Sequence, residues 1–189
     1  MKHIEVEQKY RLLSDPAALK AALIERDAEP GRPSHQIDTY YNAPHRDFLA
    51  PEHISEWLRV RVEDGTSSLN FKRWHPIEAA VKTHCDEFES TLSDAEAVQK
   101  LLDALDFTHL TTVDKVREEW HCQGIAVAFD TVAGLGTFIE FEYKDGDATT
   151  VAQATEILDA FIADLGATLG DRIHAGYPHL ALGMAPATA

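Results

Sequence analysis

The feature of this sequence that most restricts its fold is a repeated two-residue alternation in which one face of each strand is apolar and the other carries charge. It marks residues 4–12, 36–41, 57–63, 69–74, 87–92, 112–120, 125–132 and 137–144 as strands. Asp64-Gly65 and Gln123-Gly124 read as hairpin turns and residues 133–136 as a third tight connection, so neighbouring strands pair antiparallel. A half-buried strand normally turns its charges to water. Here the charges repeat in sign along a face: Glu5 and Glu7 with Lys9, Arg59 and Arg61, Lys72, Glu87 and Glu89, Lys115 and Arg117, Asp130, Glu140 and Glu142. Like charges two residues apart on one strand repel unless opposite charge lies between them. Single cross-strand ion pairs on a surface account for any one of these residues, but not for the whole set.

Three amphipathic helices supply cover for the apolar faces. One starts at Ser14-Asp15-Pro16 and carries Leu19, Leu23 and Ile24. A second opens with a Ser93/Glu96 capping box and presents Val98, Leu101, Leu102 and Leu105 for burial. The third runs from Thr150 and Gln153 through Ile157, Leu158, Phe161 and Leu165 to Gly166. The order strand, helix, three strands occurs twice before the last helix, a repeated plan without close sequence identity between the halves. The expected fold is α+β: an eight-stranded antiparallel sheet closed into a barrel, with a charged lumen and helices packed outside. One domain is expected over residues 1–184, with 185–189 a loose tail.

Carboxylates gathered in such a lumen take up protons or a divalent cation, and clustered arginine and lysine take an anion. A metal-complexed polyphosphate satisfies both. Composition removes other partners: 17 basic against 32 acidic side chains give a net charge of -15, which repels nucleic acid and anionic lipid. Without a signal-like or membrane-spanning apolar run, the expected compartment is the cytoplasm, where Cys85 and Cys122 read as thiols rather than a bridge. Ten histidines lack the paired spacing of a zinc site, and Trp57, Trp74 and Trp120 read as core.

Glu5-Val6-Glu7-Gln8-Lys9 in an opening strand resembles the Glu-x-Glu-x-Lys signature of the CYTH domain, within the triphosphate tunnel metalloenzymes. Leu58-Arg59-Val60-Arg61, Lys72, Lys115-Val116-Arg117 and the run from Phe129-Asp130 to Glu140-Phe141-Glu142 extend the resemblance, which reaches Gly176-Tyr177-Pro178-His179-Leu180. The resemblance implies metal ligation of Mg2+ or Mn2+ by Glu5, Glu7, Asp130, Glu140 and Glu142. It implies catalytic roles for these five and Lys9, and triphosphate binding by Lys9, Arg59, Arg61, Lys72, Glu87, Glu89, Lys115 and Arg117. The segment Gln36-Ile37-Asp38-Thr39-Tyr40-Tyr41-Asn42-Ala43-Pro44-His45-Arg46-Asp47-Phe48 is more similar to class IV adenylyl cyclases than to thiamine triphosphatases. Where cyclase-like members carry an arginine ahead of the fifth strand's Glu-x-Glu, this chain has Thr83-His84-Cys85-Asp86. The expected substrate is ATP, with thiamine triphosphate or inorganic triphosphate as hydrolytic alternatives and a non-catalytic polyphosphate sensor as a third. No nucleic acid or membrane partner is implied, and a homodimer is allowed.

Overall fold

A computed structural model of the chain describes residues 3–144 and 150–184; the expected tail at 185–189 lies outside the described residues. The fold is α+β, an antiparallel sheet with four helices. Its elements are β1 (His3–Glu5), β2 (Glu7–Leu12), α1 (Pro16–Ile24), β3 (Glu29–Pro30), β4 (Ser34–Asn42), β5 (Glu56–Glu63), β6 (Thr66–His75), β7 (His84–Thr91), α2 (Ala95–Ala104), β8 (Thr108–Cys122), β9 (Ile125–Val132), β10 (Gly136–Tyr143), α3 (Val151–Leu165), β11 (Leu169–Arg172) and α4 (Tyr177–Ala181).

All eight expected strands form. The first is interrupted at Val6, which splits it into β1 and β2, and β3 and β11 are additional, so the sheet has eleven strands. Two residues of β3 and four of β11 are too few to show a period. The hydrogen-bonded order has β1 at one end and β11 at the other. No ladder joins those two among the described residues, so the expected eight-stranded closure is not made by hydrogen bonds.

The chain divides into two compact units, neither of which is a sequence half. The first is built from His35–Lys115 and the segment beginning at His174. Its ladder is β7-β6-β5-β4, with β1 beside β7 and the first part of β8 beside β4. The β5–β6 turn uses Asp64 and Gly65 at φ 41° and 86°, both left-handed, as a two-residue hairpin with right-handed strand twist requires. Val60 on β5 and Tyr41 on β4 pack with Leu102 of α2 and, around them, Leu58, Leu69 and Val98.

The cap and exposed face of α2 differ from expectation. Asp94, not Ser93, is the N-cap, its carboxylate accepting from the Ala97 amide at 2.9 Å. Leu101 and Leu105 are each 55% exposed. Val98 and Leu102, four residues apart, turn to the sheet, while Leu101 and Leu105 stay largely in water.

The second unit comprises Glu5–Ser34 and Val116–Ile173, with the order β8-β9-β10-β2-β11 and β3 paired to β8. Phe129, Ile139 and Phe141 on the sheet pack with Leu19 and Leu23 of α1 and Leu158, Phe161 and Leu165 of α3. The Thr150/Gln153 capping box and the Gly166 C-cap at φ 65° form as the sequence indicates. Gln8 lies on this apolar face and is satisfied there, donating to Asp159 at 2.8 Å and accepting from the Tyr10 hydroxyl at 2.6 Å. Trp57 and Trp120 are core, Trp74 is half-buried, and both cysteines are buried free thiols. No helix among the described residues is long and apolar enough to cross a membrane.

Candidate functional site

Most of the charged side chains are withdrawn from water in both units, Glu89 and Lys144 excepted. In the second unit, register fixes which charges meet. Antiparallel pairing of β10 with β2 sets Glu140 opposite Lys9 and Glu142 opposite Glu7. The Lys9 ammonium lies 2.9 Å from Glu140 Oε1 and 3.9 Å from Glu7. Asp130 reaches the same face from β9 and is fully buried. It accepts from Arg117 Nε at 2.8 Å and from Arg117 Nη2 at 2.5 Å, a two-point fork that fixes the guanidinium plane. Arg117 Nη2 also binds Glu140 Oε2. Burial opposes the charge on Lys9, yet Glu140 and Glu7, with Asp130 behind them, outweigh it and raise its pKa. The same balance raises Lys144, which burial disfavours and which Glu142 holds at 2.7 Å, with Glu5 and Glu119 adding to the attraction.

Six residues expected as catalytic or metal-binding, Glu5, Glu7, Lys9, Asp130, Glu140 and Glu142, thus lie in one unit together with Arg117. Their pairing is more specific than the sequence suggested. Both oxygens of Asp130 and both of Glu140 are engaged by Arg117 or Lys9. Glu7 and Glu142 are opposite each other in the β2–β10 ladder, and each has a lysine beside it, Lys9 at 3.9 Å from Glu7 and Lys144 at 2.7 Å from Glu142. The set brings five carboxylates, Glu5, Glu7, Asp130, Glu140 and Glu142, into one unit with Lys9, Arg117 and Lys144. The donors are hard oxygens and suit Mg2+ or Mn2+. In the arrangement observed, no group of three or more His, Cys, Asp or Glu among the described residues is placed to hold a metal ion, because cations of the chain itself occupy the acids.

In the first unit the basic residues are organised by an acid that the strand pattern did not single out. Asp38, 1% exposed, is paired in register with Arg61 across β4–β5. It accepts from Arg61 Nε at 2.6 Å, from Arg61 Nη2 at 2.7 Å and from Arg59 Nη1 at 3.1 Å. Burial alone would raise this carboxyl; Arg59 and Arg61, with Lys115, hold it well below the usual carboxylate range. Arg59 Nε is buried without a hydrogen-bond partner among the described residues. Lys115 is buried, its ammonium 4.9 Å from the centre of the Tyr177 ring. Lys72 lies 3.5 Å from Glu87 and 5.9 Å from the centre of the Trp74 ring. Glu87 also accepts from Asn70 at 2.6 Å. Glu89, expected beside Glu87, is exposed and accepts from the Ser68 hydroxyl at 2.8 Å. Sequence reasoning placed Asp38 in a motif without a role; its place as the lone acid of β4, between Ile37 and Thr39, was the available signal.

The CYTH domain matches this chain over residues 3–177. A protein of Methanocaldococcus jannaschii named "Putative adenylate cyclase MJ0240" is 29% identical over 145 residues, which cover 77% of this chain and 80% of that one. Among solved structures, the PH1819 protein of Pyrococcus horikoshii superposes with a TM-score of 0.76 at 27% identity, covering 95% of this chain and 98% of that chain. A Hippeastrum protein, HpAC1, described as having a dominant triphosphatase activity, has a like fold, with a TM-score of 0.62 at 16% identity over 98% of this chain and 97% of that one.

Proposed function

The chain belongs to the CYTH family, and on that premise we propose that it is a metal-dependent adenylyl cyclase, converting ATP to cyclic AMP and pyrophosphate. The observation that supports this reading is the gathering of five carboxylates, Glu5, Glu7, Asp130, Glu140 and Glu142, with Lys9 and Arg117 in the second unit, Lys9 opposite Glu140 and Arg117 forked on Asp130. Such a set of hard oxygens suits a divalent cation, and a divalent cation is the natural companion of a nucleoside triphosphate. The resemblance of residues 36–48 to the class IV cyclases and the name of the Methanocaldococcus relative favour ATP.

Glu5, Glu7, Glu142, Glu140 and Asp130 would hold Mg2+ or Mn2+, which when bound neutralises charge building on the phosphate oxygens. The chain's own groups do the rest. Lys9, kept protonated by Glu140 and Glu7, is a donor to phosphate and not a base. Arg117 is presented in one plane by Asp130. In the first unit, Arg59, Arg61, Lys72 and Lys115 offer guanidinium forks and ammonium point charges of the kind that bind polyphosphate. In cyclisation the ribose 3′-oxygen bonds to the α-phosphorus, its proton departs, and the bond to the pyrophosphate oxygen breaks. The charge requirement is the same for attack of water on the terminal phosphorus.

One observation favours that hydrolytic second reading: Thr83-His84-Cys85-Asp86 offers no arginine ahead of Glu87, which removes one contact that would fix the register of the phosphate chain. Chromatography of the products of ATP with Mn2+ at alkaline pH decides between the readings. Cyclic AMP with pyrophosphate supports the cyclase. ADP and orthophosphate without cyclic AMP transfer the activity to hydrolysis, and no turnover of ATP, thiamine triphosphate or inorganic triphosphate in a day leaves a binding module.

A further inference from the structure

Asp38 has no part in the set assigned to phosphate or metal, yet three guanidinium nitrogens bond to it. It grips Arg61 through Nε and Nη2 and Arg59 through Nη1. Arg61 Nη1 makes no bond to it, and Arg59 Nε is a buried donor with no partner among the described residues. Two guanidiniums two residues apart on β5 would repel if left alone. With Asp38 between them they carry one net positive charge in place of two, and they retain donors for another anion.

We propose that Asp38 is a positioning residue that sets anion affinity: it fixes the two β5 guanidiniums and cancels one of their charges, so that a triphosphate is held in one orientation and a polyphosphate product can leave. The inference rests on the triphosphate reading above and adds a role for a residue outside its contact set. Its physical content lies in a sign. If Asp38 is merely a structural ion-pair partner, removing its charge loosens the arginines and weakens anion binding. If it tempers them, Asp38→Asn, which keeps the shape and an acceptor oxygen for Arg61, raises the local positive potential and strengthens binding. A unit charge one hydrogen bond behind a guanidinium, at an effective dielectric of about 20, changes the affinity for a phosphate on that guanidinium by about tenfold or more.

The experiment is calorimetric titration of the full chain with inorganic triphosphate in metal-depleted buffer at two salt concentrations, followed by steady-state kinetics. Asp38→Asn should bind triphosphate about tenfold tighter than wild type, with a steeper dependence on salt, and its KM and kcat should fall together as product release slows. Equal or weaker binding by a folded Asp38→Asn protein overturns the inference and leaves the triphosphate reading intact. A wild-type protein that binds no triphosphate overturns that reading, and the inference with it. Because removing one partner of a buried ion pair can unfold a protein, Arg61→Gln is compared with Asp38→Asn/Arg61→Gln, in which a neutral amide pair replaces the ions. The double variant should bind triphosphate more tightly than Arg61→Gln; equal or weaker binding overturns the inference.

Discussion

Replacement of Glu140 by glutamine probes folding and metal affinity through one side chain. Glu140 is 7% exposed and bridges Lys9 at 2.9 Å and Arg117. Glutamine keeps one acceptor and loses the charge. Breaking a buried ion pair outright costs roughly 3–5 kcal/mol, but here Arg117 retains its fork to Asp130 and Lys9 retains Glu7 at 3.9 Å. The remaining penalty is the difference between charged and neutral hydrogen bonds to two donors, about 2 kcal/mol. With a urea m-value of about 2 kcal/mol/M, the unfolding midpoint should fall by about 1 M. The pH dependence carries the same signature. Lys9 has a folded pKa above its ordinary value of 10.5, so its contribution to stability is complete below that value and is lost as pH rises through the folded pKa. In Glu140→Gln the chief attraction raising Lys9 is gone, and the alkaline loss should be shallower. The substitution also removes one carboxylate charge from the proposed metal-binding set, so calorimetry should show Mn2+ binding at least about tenfold weaker. An unchanged urea midpoint, alkaline limb and Mn2+ affinity would refute the account of this cluster.

Arg59→Ala should raise the KM for any triphosphate turned over by about tenfold or more in initial-rate assays, since it removes a charged donor; an unchanged KM removes Arg59 from the site. Asp94→Ala should cost about 1 kcal/mol in urea unfolding while Ser93→Ala costs close to nothing, because the carboxylate of Asp94 accepts the Ala97 amide. The reverse order would restore the Ser93 cap.

The strands were legible because their signal is local. Alternation at β5, β8, β9 and β10 needs only the residues themselves, and the glycine turns at Gly65 and Gly124 fix the hairpins between them. What escaped is what depends on a partner distant in sequence. Nothing in residues 95–105 says whether Val98/Leu102 or Leu101/Leu105 will meet the sheet, since both are apolar i,i+4 pairs; the sheet's position decides. Ser93 and Asp94 are both good caps, and the chain's entry angle chooses the second. The break at Val6 follows from β1 lying beside β7 while β2 lies beside β10, a competition between ladders that no window of sequence records.

The site divides in the same way, and the division explains Asp38. Repulsion along a strand, as between Glu5 and Glu7 or Arg59 and Arg61, is written in consecutive residues, so the charged set could be drawn from sequence. Its relief is written across strands. Lys9 meets Glu140 because β2 and β10 are in that register, and slipping one residue would turn both away. Asp38 meets Arg61 for the same reason across β4–β5. An isolated acid between Ile37 and Thr39 shows no like-charge pattern of its own and is invisible to a search for clustered charge. For Arg59-x-Arg61 the compensating residue is one such a search omits, Asp38, on the adjacent strand and directly opposite Arg61.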